Sequence, residues 1–130
     1  MPIKKISEFS TQLTNGMTML SNGPDGKDLV PQMSAAYIEF APGKVVKPHT
    51  HDRVEAYLVL KGRAKMMAGD EIKEVVQGDL LIAPIGTPHA IEVLGNETFA
   101  FYAFNSPPAS TCPAIDAPED VQQKFASAKV

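Results

Sequence analysis

Short apolar runs rich in Val, Ile, Leu, Tyr and Phe alternate with polar turn segments along most of this chain. In residues 33–40 the side chains alternate between two faces, one of which carries Ala36, Ile38 and Phe40. Through residues 42–97, turns that contain Gly, Pro, Asp or Asn recur at intervals of roughly 8–12 residues. Short strands at this spacing predict an all-β, antiparallel sandwich or barrel.

The N-terminal end has a different pattern. Ile6, Phe9 and Leu13 lie three and four residues apart, which predicts a short helix packed on the body. Residues 17–20 predict a brief edge strand. Because exposed sheet edges are commonly covered, the apolar side chains of this arm could cover a barrel edge across a homodimer.

The C-terminal end is rich in proline. Four prolines in residues 105–118 predict an extended tail. A short final helix follows, with Asp116 as its predicted cap and with Val121 and Phe125 on one face. We interpret the tail as a surface segment, and a lid or a dimer clasp is the alternative interpretation.

The composition is that of one ordinary globular domain. Hydrophobic residues make up 44% of the 130 residues and charged residues 21%. We therefore expect a single domain, with a barrel core at about 33–105, an N-terminal arm at 1–32 and a tail at 106–130.

Charge and cysteine content narrow the function classes. The net charge of −3 argues against nucleic acid or an anionic membrane surface as partners. No apolar run of the sequence is long enough to span a bilayer, and no apolar signal-peptide segment follows the basic N-terminus. The single cysteine, Cys112, excludes an internal disulfide framework and a cysteine-based zinc site. A cytoplasmic location is the resulting expectation.

The residues suited to chemistry begin with a histidine pair. His49 and His51 are one residue apart, so on a strand their side chains point the same way. Their Cα atoms would be roughly 6.6 Å apart, close enough for both imidazoles to reach one ion. Glu55 joins them only if the chain bends at residues 52–54, where Asp52 favours a turn. Imidazole with carboxylate suits Fe, Mn, Ni, Cu or Zn.

The third histidine follows a turn that contains two prolines. Gly86 suits a positive φ, and Pro84 and Pro88 restrict the backbone around it. This turn places His89 at the start of a strand, where it shares a face with Val93. All 3 histidines of the chain thus lie in two glycine-bounded stretches.

Together the two stretches resemble the two motifs of the cupin superfamily. The first motif is complete, with its residues at Gly43, His49, His51, Glu55 and Gly62. The second is filled by Gly78, Pro84, Gly86 and His89, with Val93 where Asn is usual. The 15 residues between Gly62 and Gly78 match the short spacer of compact microbial cupins.

The resemblance implies a small double-stranded β-helix (jelly-roll) barrel, usually a homodimer, with one divalent transition metal inside. Transferred position by position, the implied metal ligands are His49, His51, Glu55 and His89. Four protein ligands in an octahedral shell leave two positions open for a small anionic or chelating substrate. Val93 in place of Asn leaves that ligand set intact but removes a polar group near the interior.

Three functions are compatible with such a site. The preferred one is a dioxygenase-type oxidoreductase, and the second is a non-redox isomerase, lyase or epimerase that uses the metal as a Lewis acid. The third is a cupin that holds a small ligand without turning it over, and a barrel that has lost its metal is the structural alternative. Tyr57 shares the predicted face of Glu55, and both are candidate catalytic residues for proton transfer.

Other polar and aromatic residues receive weaker interpretations. Asp52 and Arg53 are interpreted as solvated turn residues, with Arg53 as a substrate clamp at the pocket mouth as the alternative. Weaker candidates for the pocket lining are Tyr37, Met66, Tyr102 and Phe104.

Overall fold

A computed structural model describes residues 3, 5, 10–14, 17–21 and 30–130. The first strands in chain order are β1 (Ser10–Thr14), β2 (Met17–Ser21), β3 (Ser34–Phe40), β4 (Val45–Thr50) and β5 (Val54–Lys61). They are followed by β6 (Arg63–Ala68), β7 (Glu71–Val75), β8 (Leu80–Ala83), β9 (His89–Leu94) and β10 (Phe99–Ser106). The C-terminal part contains a 3-10 turn (Ala109–Thr111), strand β11 (Ile115–Asp116) and helix α1 (Glu119–Ser127).

These strands form two antiparallel sheets. The six-stranded sheet has the order β1-β2-β3-β10-β5-β8, and the five-stranded sheet has the order β11-β4-β9-β6-β7. Apolar side chains of both sheets meet in one buried cluster that includes Ile38, Val59, Met66, Val93 and Phe101. The predicted all-β class is confirmed, and the core lies between the two sheets.

The turn between β5 and β6 requires glycine at position 62. The φ of Gly62 is +78°, which side chains rarely allow, and a Cβ atom there would lie 2.6 Å from the backbone oxygen of Thr98. This turn moves the chain from the six-stranded sheet to the five-stranded one.

The N-terminal predictions are partly wrong. Residues 10–14, which include Leu13, form strand β1 and not a helix, because they pair with β2 along their whole length. Residues 6–9 lie outside the described part of the chain. Strand β2 exists, but it is not an edge strand, since β1 and β3 flank it.

The C-terminal helix is confirmed, but its cap is not Asp116. Pro118 occupies the N-cap position, while Asp116 lies in β11 opposite His49 of β4. Phe125 is 2% exposed and packs with Val121 against Met67 of β6. Helix α1 therefore covers part of the outer face of the five-stranded sheet.

The outer face of the six-stranded sheet carries several of the predicted lining residues. Tyr37 and Tyr102 are half-buried and meet there edge to face, and Phe104 stacks beside Tyr102. The inner face of the same strands is taken by Ile38 and Phe101, so the prediction that these three aromatics line the interior is wrong. Met66 is buried in the core, as predicted.

In the part of the chain described here, no helix is both long and apolar enough to cross a membrane. The predicted homodimer and the predicted cytoplasmic location stay predictions.

Candidate metal centre

The first two members of the site come from facing strands. His49 on β4 and His89 on β9 are directly opposite each other in the antiparallel register, and their ring centroids are 4.2 Å apart. Cross-strand neighbours of this kind have side chains in contact on one face of the sheet. Strand pairing therefore brings the two motifs together at this point.

The bend that the sequence predicts after β4 brings His51 next to His49 and His89. Strand β4 ends at Thr50 and β5 begins at Val54, so residues 51–53 form the turn. The His51 ring lies 4.8 Å from that of His49 and 5.2 Å from that of His89, measured between centroids. The backbone N–H of Gly86 donates to the His51 carbonyl at 3.0 Å, which fixes the second turn against the first.

The three histidines present one ligating atom each, and these atoms all lie within 4.8 Å of one another. The ring Nδ1 of His49 is 2.8 Å from the Lys47 carbonyl, and that of His89 is 3.0 Å from the Thr87 carbonyl. Because a carbonyl only accepts, each Nδ1 carries a proton, and Nε2 is the ring nitrogen left to face a metal ion. Backbone contacts that fix the tautomer in this way are typical of metal-ligating histidines.

Burial favours the neutral form of His49 and His51, which is the form that a metal requires. Burial lowers the pKa of His49 to about 4, against the raising effect of its contact with the Lys47 carbonyl. Burial likewise lowers the pKa of His51, although the charge of Glu55 opposes it.

Glu55 lies next to the histidines on the inner face of β5. Its side chain is 3% exposed, and one oxygen, Oε2, lies 2.6 Å from Nε2 of His89. The other, Oε1, lies 3.6 Å from Nε2 of His51. Burial alone would raise the pKa of this carboxyl, but its contacts with His89, Tyr57 and Arg53 outweigh burial and lower the pKa to about 2. Glu55 is therefore a carboxylate.

The contact between His89 and Glu55 tests whether these residues fit a metal ion. Nε2 of His89 is buried and has no hydrogen-bond partner in the described part of the chain. At 2.6 Å from the Glu55 oxygen, this nitrogen needs positive charge between the two atoms, which either a proton or a metal ion supplies. Three imidazoles and a carboxylate suit a divalent transition metal. The donor set therefore fits such an ion, and Glu55 as its fourth ligand stays a prediction.

Tyr57 lies where the sequence predicts, on the inner face beside Glu55. Its hydroxyl donates to Glu55 Oε2 at 2.6 Å. Complete burial and the neighbouring negative charge of Glu55 raise the pKa of Tyr57 well above its ordinary value. Tyr57 is thus a protonated donor beside an ionised acceptor.

Arg53 is the residue that the sequence-based interpretation places wrongly. It is 9% exposed and not a solvated turn residue. Its Nε donates to Glu55 Oε1 at 2.9 Å, and its Nη2 lies 2.7 Å from the same oxygen. Alternation would have indicated this arrangement, because Arg53, Glu55 and Tyr57 are spaced two apart and share one face of a strand.

Asn105 is a second residue that the sequence-based interpretation missed. It lies directly opposite Glu55 in the β5–β10 register and is 5% exposed. Its Oδ1 is buried without a hydrogen-bond partner among the described residues. Strand β10 extends to Ser106, so alternation from the buried Phe101 and Ala103 would have indicated the inward position of Asn105. Val93, in contrast, is buried in the core as predicted.

The sequence family described as the cupin domain matches residues 36–105, more than half of the chain. This protein is a cupin. The match contains all three histidines and Glu55, and it agrees with the resemblance seen in the two motifs.

Solved structures show the same fold for this cupin. A cupin-2 domain protein from Rhodospirillum rubrum superposes with a TM-score of 0.72 at 19% identity, over 98% of this chain and 80% of that one. KdgF from Halomonas sp. gives a TM-score of 0.67 at 22% identity, over 78% and 90% of the two chains. A variant of oxalate decarboxylase from Bacillus subtilis gives 0.67 at 23% identity, over 78% of this chain but 28% of the enzyme. At these identities the likeness concerns the fold alone.

One sequence relative is closer in identity but shorter in extent. An uncharacterised protein of Methanocaldococcus jannaschii is 39% identical to this cupin over 56 residues. The match covers 43% of this chain and 45% of the relative, less than half of the length of either protein.

Proposed function

We propose that this cupin is a divalent-metal-dependent enzyme that acts on a small anionic or chelating organic substrate, with oxidation by O₂ of the dioxygenase type as its chemistry. The observation that supports the metal site is the convergence of three imidazoles, with their ligating atoms within 4.8 Å, beside a buried carboxylate. A divalent ion held there supplies positive charge to a bound substrate and, where the ion is redox-active, electrons for a reaction with O₂.

The charge of the surrounding residues supports an anionic substrate. Glu55 is paired with Arg53 at 2.7 Å, so the charges of these two side chains cancel. A divalent ion would then leave the centre at about +2 in a buried environment. Hydroxy acids, oxo acids and enediols combine negative or polarisable oxygens with chelating geometry, which suits such a centre.

Two residues of the chain can contact the substrate directly. The buried Oδ1 of Asn105 can accept a hydrogen bond from a substrate hydroxyl, since it has no partner among the described residues. The Tyr57 hydroxyl oxygen can accept a hydrogen bond from a substrate hydroxyl, because its single O–H is donated to Glu55. These groups would orient a substrate on the inner face of the six-stranded sheet.

The contact between Tyr57 and Glu55 favours a second candidate, a non-redox isomerase, lyase or epimerase. The tyrosine hydroxyl and the carboxylate are 2.6 Å apart, one protonated and the other ionised. A proton donor and a proton acceptor on one face can serve the two steps of an isomerisation or elimination. In this candidate the metal ion polarises the substrate and Glu55 takes up the proton.

Metal titration tests the site. Metal-free protein should bind one divalent ion per chain among Fe(II), Mn(II), Ni(II), Cu(II) and Zn(II), measured by calorimetry. His89→Ala should weaken binding at least 100-fold, because it removes one of the three imidazole ligands. Glu92→Gln is the matched control, since Glu92 is on the same strand but half-exposed. Equal affinity of His89→Ala and the wild type would contradict the proposal.

Oxygen consumption separates the two chemistries. With Fe(II) or Mn(II) bound, uptake of O₂ that depends on a hydroxy or oxo acid supports the oxidoreductase. Turnover of the same compounds with Zn(II) under anaerobic conditions supports the non-redox candidate instead. Oxalate should inhibit either reaction by chelating the ion. Recovery of every bound compound unchanged would contradict both and leave a ligand-binding cupin.

A further inference from the structure

Arg53 uses all five of its N–H groups within the protein. Its Nε and one N–H of Nη2 face Glu55 Oε1, at 2.9 and 2.7 Å. The Nη1 group donates to the Ala109 carbonyl at 2.9 Å and to the Cys112 carbonyl at 2.7 Å. The remaining N–H of Nη2 faces Nε2 of His51 at 3.2 Å. A guanidinium has five donors, so none remains for a substrate, and the alternative that Arg53 clamps the substrate is wrong.

The contact with His51 conflicts with metal binding. Arginine has no acceptor, so the Nε2 of His51 accepts from Arg53 and must use its lone pair to do so. Nε2 is the ring nitrogen of His51 that faces Glu55, whose other oxygen contacts Nε2 of His89, while Nδ1 of His51 is buried without a hydrogen-bond partner among the described residues. An imidazole nitrogen has a single lone pair. It cannot accept a hydrogen bond from Arg53 and ligate a metal ion at the same time.

The same guanidinium holds a distant part of the chain. The carbonyls of Ala109 and Cys112 belong to the turn that follows β10, which lies 56 and 59 residues away in sequence. Because the guanidinium is planar and rigid, displacing Nη2 from His51 also moves Nη1 relative to these carbonyls. We call residues 109–112 the strap.

We propose that Arg53 is a positioning residue that couples metal occupancy to the position of the strap. Where Arg53 donates to His51, it also holds the strap against the site. Metal binding at His51 displaces Nη2, weakens the contacts from Nη1 and loosens the strap. This inference rests on the proposed metal site, and it assigns to Arg53 a control over that site which is separate from substrate binding.

The single thiol of the chain reports on the strap. Cys112 is half-buried, and its Sγ lies 3.4 Å from the Asp52 carbonyl beside the site. A looser strap should expose this thiol to a small alkylating reagent such as iodoacetamide. Mn(II) is the metal to use, because it prefers oxygen and nitrogen ligands to thiolate.

Three proteins make the test decisive. Adding Mn(II) to the wild type should raise the alkylation rate of Cys112 several-fold and increase hydrogen exchange of the strap amides. Arg53→Gln without metal should already show the faster rate, and its affinity for Mn(II) should rise about tenfold because the competing donor is gone. Arg53→Lys retains the positive charge but not the planar set of N–H donors, so the alkylation rate of its Cys112 should resemble that of Arg53→Gln.

Lys65→Met is the matched control. Lys65 is also a buried cation that holds C-terminal carbonyls, but it contacts Phe125 and Ala128 and not the strap. It should leave both the Cys112 rate and the Mn(II) affinity unchanged. Mn(II) binding by the wild type with an unchanged or slower Cys112 rate would overturn this inference alone. Failure of the wild type to bind any divalent metal would overturn the proposed function with it.

Discussion

Two buried cations hold the C-terminal part of this cupin against its barrel, and they do so in different settings. Arg53 donates to the carbonyls of Ala109 and Cys112, and Lys65 donates to those of Phe125 and Ala128. Each also faces a carboxylate, but the side chain of Glu55 is 3% exposed whereas that of Glu92 is 37% exposed. Both cations therefore anchor the C-terminal segment by donating to two of its backbone carbonyls.

The difference between the two lies in what else the cation contacts. Lys65 lies over the Phe125 ring at 4.5 Å and pairs with Glu92, which is not a member of the histidine cluster. Arg53 shares Glu55 and His51 with the metal centre. Lys65 thus has a structural role, whereas Arg53 also contacts residues of the candidate metal centre. Substitutions around each cation should separate these two roles.

The largest loss of stability is expected for Phe125→Ala. This side chain is 2% exposed and fills the contact between helix α1 and Met67, so its removal should lower the free energy of unfolding by about 4 kcal/mol. Urea denaturation of metal-free protein measures it. Metal affinity should not change; a parallel loss of affinity would mean that the helix and the site are not independent.

Glu55→Gln should lower the free energy of unfolding of the metal-free protein by about 3 kcal/mol, because it leaves Arg53 buried without an opposite charge. The matched change beside Lys65, Glu92→Gln, should lower the free energy of unfolding by less than about 1 kcal/mol, since the Lys65–Glu92 pair is partly solvated. Chemical denaturation of both variants gives the comparison. Equal losses of unfolding free energy in the two variants would contradict the expectation that the buried Arg53–Glu55 pair matters more for stability than the partly exposed Lys65–Glu92 pair.

Lys65→Met should lower the free energy of unfolding by about 2 kcal/mol, because the carbonyls of Phe125 and Ala128 lose their common donor. Hydrogen exchange should show the effect in residues 119–128 and not in the strap. Faster exchange at residues 109–112 would contradict the separation of the two anchors.

The predicted metal ligands could be identified from the sequence because their placement depends mostly on local geometry. His49 and His51 are two residues apart, and a bend at residues 52–53 is enough to bring Glu55 back. The alternation that places Tyr57 beside Glu55 extends over only three residues. His89 needed the register between β4 and β9, which a motif resemblance supplied.

The errors occurred where distant contacts decide the structure. Arg53 was assigned to solvent because the carbonyls that bury it are more than 50 residues away. Leu13 follows a helical spacing, yet pairing with β2 makes its segment a strand. Asp116 has a residue type that favours helix caps, but Pro118 takes the cap and Asp116 pairs with Lys47 at 3.2 Å. Local preference is overridden in each case by a tertiary partner.

The metal content of the purified protein tests the central claim most directly. Protein prepared without chelators or a metal-affinity tag should contain, by elemental analysis, close to one divalent transition-metal ion per chain. The same preparation of a variant in which His49, His51 and His89 are all alanine should contain none. A wild type that stays empty in the presence of excess Fe(II), Mn(II), Ni(II), Cu(II) and Zn(II), or a triple variant that retains the ion, would contradict the account.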